Sequence, residues 1–217
     1  MWALVQGGKV VAVYKTPRPL NIGGINHPRT IFNYWSAAQL KAIGIYSYIE
    51  KNANPDGTYY NLGSSSTAID DSAGTVTVTY TNTLKELGDT KFTEDDKSAG
   101  NIPTDKDVGD VKLIGLKNKE IAIIKNTAAS LLQNSDWYVV RKAEAGTAIP
   151  SAVATYRTAV RSASATMEGK VNEISDTTNE TNMNAFIAIK TNTYKEDGTL
   201  DKLADLNNWP TRPEILD

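Results

Sequence analysis

Cysteine is absent from the chain, which removes disulfide staples, thiol nucleophiles and thiolate metal sites together. That absence fits synthesis in a reducing cytosol. Histidine occurs once, as His27, so an imidazole acid, base or nucleophile has a single residue to draw on. It stands before Pro28 beside an expected hairpin, where a structural or solvated role outweighs a catalytic one. No window approaches the roughly eighteen consecutive apolar residues that a membrane-crossing helix needs. The opening MWALVQGGKVVAVY has neither the basic leader nor the unbroken apolar run of a signal peptide. The expectation is a soluble protein, unexported by itself, with no membrane partner. Surplus positive charge is missing too. A formal net charge of −2 and a pI near 5.5 argue against nucleic acid as the partner.

Nucleotide and metal motifs are equally scarce. The glycine pairs Gly7-Gly8 and Gly23-Gly24 complete neither G-x-G-x-x-G nor G-x-x-x-x-G-K-[ST], so no cofactor is expected. In TDKDVGD, Asp105, Asp107 and Asp110 suggest a calcium loop, but Gly109 takes the place of an alternate oxygen ligand and Leu116 stands where a distal bidentate Glu belongs. A solvated acidic stretch is the better reading, and no metal site is expected. The chain has 25 Asp and Glu residues, and no pair is set apart as the two acids of a glycosidase. No catalytic residue is expected.

What is present reads as an α+β chain of 217 residues with a small, mainly β N-terminal module over 1–83. WALV and VVAVY form a hairpin about Gly7-Gly8, because paired glycines supply the positive φ of tight hairpin turns. Gly23-Gly24 marks a second, shorter hairpin. SAAQLKAIG carries one short helix, with the Ser36/Gln39 spacing of a capping box and Gly44 as its stop. IYSYI and TVTVTY read as strands, with NPDG over 54–57 as a turn. Residues 84–110 are charged and poor in apolar side chains, which predicts a flexible linker.

A helical domain is expected over 111–217. Ile114, Ile121 and Ala128 recur every seven residues, with Ile124 and Leu131 alongside. From Ser151 onward, Val153, Tyr156, Val160, Ala163, Met167, Val171 and Ile174 follow one another by three or four, with Pro150 at the helix start. A third helix is predicted after Thr177, from its capping-box spacing to Glu180, and helical turns precede Trp209-Pro210. Trp137 and Tyr156 read as aromatics packed inside a helical hairpin, with Arg157 and Arg161 at the edge of the apolar stripe.

The order SDW (135–137), YRTAVR (156–161) and NWPTRP (208–213) resembles the C-terminal domain of tail and tail-fibre assembly chaperones of tailed bacteriophages. WALVQGGKVV and IFNYWSAAQLKAIGI are similar to the small N-terminal modules that such tail proteins carry. The interval from Arg161 to Trp209 is longer than the pattern of that group and includes the further helical material TMEGKVNEIS and MNAFIAI. The resemblance implies a non-enzymatic binder of a tail or tail-fibre polypeptide during its folding or oligomerisation. Trp137, Tyr156, Arg157, Arg161 and Trp209 would then serve as partner-binding or domain-core residues, in the host cytoplasm during assembly. The alternative it implies is a structural component, a tail, fibre or baseplate adaptor kept in the virion tail. A tail depolymerase fits less well, since no repetitive β architecture is present.

Overall fold

The computed structural model describes residues 1–216. Strands and helices combine in an α+β arrangement, and the chain divides into two compact units, Met1–Thr83 and Leu84–Asp217.

The first unit is built on a five-stranded sheet. Its leading hairpin joins β1 (Trp2–Gln6) to β2 (Lys9–Tyr14), and Gly7 and Gly8 turn the chain with φ of 57° and 72°, as a two-residue turn with two left-handed positions requires. A register shift at Leu4/Val5 puts a bulge in the pair. The short hairpin β3 (Leu20–Ile22) and β4 (Ile25–His27) turns at Gly23-Gly24 in the same way. After a single turn, α1 (Ile31–Tyr34), comes α2 (Ala37–Ala42) with both capping-box bonds made: Ser36 N–H to Gln39 Oε1 at 2.8 Å and Gln39 N–H to Ser36 Oγ at 3.3 Å. Gly44 ends it with φ of 80°, and a Cβ there would lie 2.7 Å from the Val5 carbonyl oxygen.

β5 (Ile45–Lys51) pairs antiparallel with β1. The two-residue β6 (Tyr60–Asn61) and then β7 (Ser65–Asp70) and β8 (Thr75–Tyr80) follow. β8 runs parallel to β5 and antiparallel to β7, giving the order β2-β1-β5-β8-β7. Alternation sends Leu4 and Ile45 to one face, where Leu20, Ile31, Phe32 and Leu40 cover them. Ala3, Val5, Tyr46, Val76 and Val78 pack together on the other. The expected turn at NPDG begins later, with Tyr59 and Tyr60 N–H groups bonded to the Asp56 carbonyl.

The second unit corrects the reading of 84–110 as a flexible linker. Past β9 (Thr83–Leu84), this span forms β10 (Thr90–Lys91) and α3 (Glu94–Ser98), and β10 pairs with β11 (Val111–Leu113). Two apolar anchors, Leu87 and Phe92, are buried. The larger reason is capping. The first N–H groups of a helix lack partners within it, and here Leu116 N–H bonds to Glu86 O at 2.9 Å and Lys117 N–H to Leu87 O at 3.0 Å. The Asp89 carboxylate takes Gly115 N–H at 2.7 Å. Thr178 fixes the same stretch from its other side, accepting from Leu87 N–H and donating to Glu86.

The helix so capped is α4 (Leu116–Gln133). Ile114 lies before it and is exposed, so it is not part of the stripe, whereas Ile124 and Ala128 are buried. α5 (Asp136–Ala145) and α6 (Ser151–Asn172) follow. Bonds from Lys117 to Asp176, Lys125 to Glu168 and Arg157 to Leu132 show that α4 and α6 run antiparallel. Val153, Tyr156, Val160, Met167, Val171 and Ile174 are buried as their spacing predicts, whereas Ala163 of the same series is half-buried and its neighbour Ser164 is the residue taken inside. α7 (Glu180–Lys190) starts from Asn179, whose side chain accepts Asn182 N–H, rather than from a Thr177/Glu180 box. The chain closes with a hairpin, β12 (Thr193–Tyr194) and β13 (Leu200–Lys202), and 3-10 turns at Asp205–Asn207 and Glu214–Leu216.

Candidate functional site

The residues singled out by sequence separate into two sets. Tyr156 and Arg157 are buried, and Trp209 is half-buried against the cluster of Ala128, Tyr138, Val153, Tyr156, Val160 and Leu216. Trp137 is 50% exposed, and Arg161 is exposed as well. Trp137 is therefore not the core aromatic of the helical hairpin; its neighbour Tyr138 holds that position. One step along a helix turns a side chain by about 100°, so adjacent aromatics cannot both face the core.

Arg157 and Arg161 do not stand together at the stripe's edge either. Arg157 points inward at the corner between α4 and α5, where its Nη1 donates to the Leu132 carbonyl at 3.1 Å, to Ser135 Oγ at 2.5 Å and to Asp136 Oδ1 at 2.8 Å. Leu132 supplies one of the carbonyls left open at a helix end, and Asp136 opens the next helix, so a cation here suits both. Ser135 is fully buried and donates its hydroxyl to the same Leu132 carbonyl. Arg157 thus holds a corner together. The hydroxyl of Tyr156, also buried, has no hydrogen-bond partner among the described residues.

The exposed set builds a surface on α5. The Trp137 and Tyr138 rings lie 3.9 Å apart, tilted by 32°. The Arg141 guanidinium carbon sits 4.5 Å from the Trp137 ring centre and 5.3 Å from that of Tyr138. Trp137, Val140 and Arg141 fall at i, i+3 and i+4, one face of the helix, and Val139 and Val140 are both exposed. Gly146, with φ of 68°, ends the helix. Stacking against a buried tyrosine holds an indole ring in place at the surface, which lowers the entropy cost of binding to it.

Other polar groupings are spent on the fold. A cavity of about 400 Å³ is lined by Gly88, Asp89, Lys91, Lys117, Asn118, Asn172 and Asp176. Lys117 in it donates to Asp176 at 2.5 Å and to the Ile174 carbonyl, and Asp89 receives Gly115 N–H and the Asn118 amide. His27 meets Trp35 edge-on at 5.6 Å between ring centres. The shifted acids follow local bonds. Ser72 lowers Asp70, Lys112 lowers Asp96 and Thr199 lowers Asp197, while the bond to Asp71 raises Tyr46. Among the described residues, no group of three or more His, Asp or Glu could hold a metal ion.

Comparison with protein-family models, curated proteins and solved structures found no match for the chain.

Proposed function

We propose that the chain is a non-catalytic binding protein that captures a tail or tail-fibre polypeptide of a tailed bacteriophage while it folds or oligomerises, in the host cytoplasm. The phage assignment rests on the ordered motifs SDW, YRTAVR and NWPTRP. The binding role rests on one observation: Trp137 is half exposed yet held by Tyr138 and Arg141, beside exposed Val139 and Val140. Aromatic and arginine side chains dominate the energetics of protein interfaces, because they join large contact area to directed hydrogen bonds. Of the five residues named from sequence, Trp137 is the one on this surface; Tyr156, Arg157 and Trp209 serve the core, and Arg161 stays an exposed residue of α6.

Co-expression with a tail-fibre polypeptide from the same genome tests the proposal. Co-purification is the expected outcome, together with absence of the chain from purified particles. Presence in particles at fixed copy number would replace the chaperone with a structural tail, fibre or baseplate adaptor. Failure to capture any tail or fibre polypeptide of that genome, with no place in the particle, would overturn both.

A further inference from the structure

Charge is distributed unevenly along the chain. The first 49 residues hold five Lys and Arg and no Asp or Glu. Three of these cations frame one strand: Lys9 opens β2, Lys15 follows it, and Arg18 lies over the Tyr14 ring at 5.6 Å. All three are exposed and, among the described residues, form no ion pair.

That strand is also an open edge. β2 is the outermost of the five strands, and among the described residues its backbone bonds only to β1. Val11 and Val13 stand exposed along it. An unpaired edge is a template for another strand, which proteins blunt with proline, charged side chains, a bulge or a cover. β2 has a bulge at Val11, where the register steps from Leu4↔Ala12 to Val5↔Val10, and its flanking cations repel a basic strand while admitting an acidic one. Lys9–Tyr14 contains no proline and no acid. The opposite edge, β7, is the polar SSTAID, and its Asp70 is engaged by Ser72 and Ala73.

We propose that β2 is a docking edge for an acidic polypeptide segment, which adds to the sheet as a sixth strand between Lys9 and the Lys15/Arg18 pair. Backbone hydrogen bonds supply affinity, Val11 and Val13 supply apolar contact, and the flanking cations select for acidic side chains. A second copy of the chain suits the edge less well. Centred antiparallel pairing of two β2 strands would set Lys9 of each opposite Tyr14 of the other and diagonal to its Lys15, gathering four ammonium groups at the two ends of the pair, and like charges at cross-strand distance destabilise. The proposal is independent of the α5 surface.

The test uses the full chain and a fluorescein-labelled decapeptide of alternating valine and glutamate. Saturable binding is expected, weakened about tenfold or more between about 50 mM and about 500 mM salt. The triple variant Lys9→Glu, Lys15→Glu, Arg18→Glu, altered at exposed positions, should bind at least as weakly as the wild type does in high salt. Bound peptide should slow amide exchange in Lys9–Tyr14 and leave Ser65–Asp70 unchanged. A peptide N-methylated at every residue keeps the charge but loses the backbone donors of both its edges, and should fail to bind. Absence of binding, equal binding of the methylated peptide, or no slowing in Lys9–Tyr14 would overturn the proposal. So would equal binding by a single-stranded oligonucleotide of matched charge, which would make the edge a general anion surface.

Discussion

In the first unit the buried side chains are aliphatic or aromatic, from Ala3 through Ile45 to Val78; in the second, Lys117, Glu120 and Arg157 are buried as well. The difference follows from how each architecture fixes its own alignment. A strand's register is pinned by its ladder and turns, as at Gly7-Gly8, and a slip by one residue would turn the whole apolar face to water. Packed helices have no ladder between them and can slide. The second unit sets inward-pointing charges at opposite ends of its helix pair. Lys117 with Asp176 and Glu120 with Lys190 stand at one end, and Arg157 with Ser135 and Asp136 at the other. A buried charge tolerates few alignments, because any other leaves it unpaired.

The comparison can be broken most forcefully in the first unit. Ile45→Ala removes a 1% exposed side chain from an apolar cluster and should cost about 2 to 5 kcal/mol. Amide exchange resolved by peptide should show the loss within 1–83 while the helices of the second unit keep their protection. Arg157→Met comes next. It keeps most of the volume but removes the charged donor shared by the Leu132 carbonyl, the Ser135 hydroxyl and Asp136, while the Ser135 hydroxyl and N–H still bond to Leu132, and should cost about 1.5 to 3 kcal/mol by denaturant unfolding. The effect stays below that of a fully buried pair because Asp136, 58% exposed, returns to water. A neutral Arg157→Met would remove the alignment role.

The smallest effect is one of pH. Asp96 is held below its usual range first by the Lys112 ammonium and then by the Thr93 backbone N–H. A carboxylate with a lowered folded value adds stability above the unfolded Asp value of about 3.9, and loses it as pH falls through the lower folded value. Asp96→Asn should therefore flatten the acid limb of the stability curve in that window. An unchanged limb would show that the capping box of α3 does not depend on its charge.

Local rules made some of this legible in sequence. Gly-Gly pairs announced both hairpins, the Ser36/Gln39 spacing announced α2, and three-and-four spacing announced the buried face of α6. What stayed hidden depends on distant partners. Two short anchors, Leu87 and Phe92, give too little apolar pattern to reveal that 84–110 folds, and its backbone bonds to α4 have no sequence signature. β7 reads as a polar run and forms because β8 lies beside it. On α5 the pattern misleads: Trp137 and Val140 form the more apolar face, yet Tyr138 is the residue taken inside. The Ser-Asp pair before Trp137 was the available signal for Arg157, since a buried guanidinium requires acceptors at a helix junction.

The central claim is that Trp137 serves binding and not folding. Trp137→Ala, measured for melting temperature and for capture of a co-expressed tail-fibre polypeptide, tests it most directly. The account predicts a stability loss under about 1 kcal/mol, because half of the side chain is already in water, with capture abolished. Capture at the wild-type level by a folded Trp137→Ala protein would contradict it.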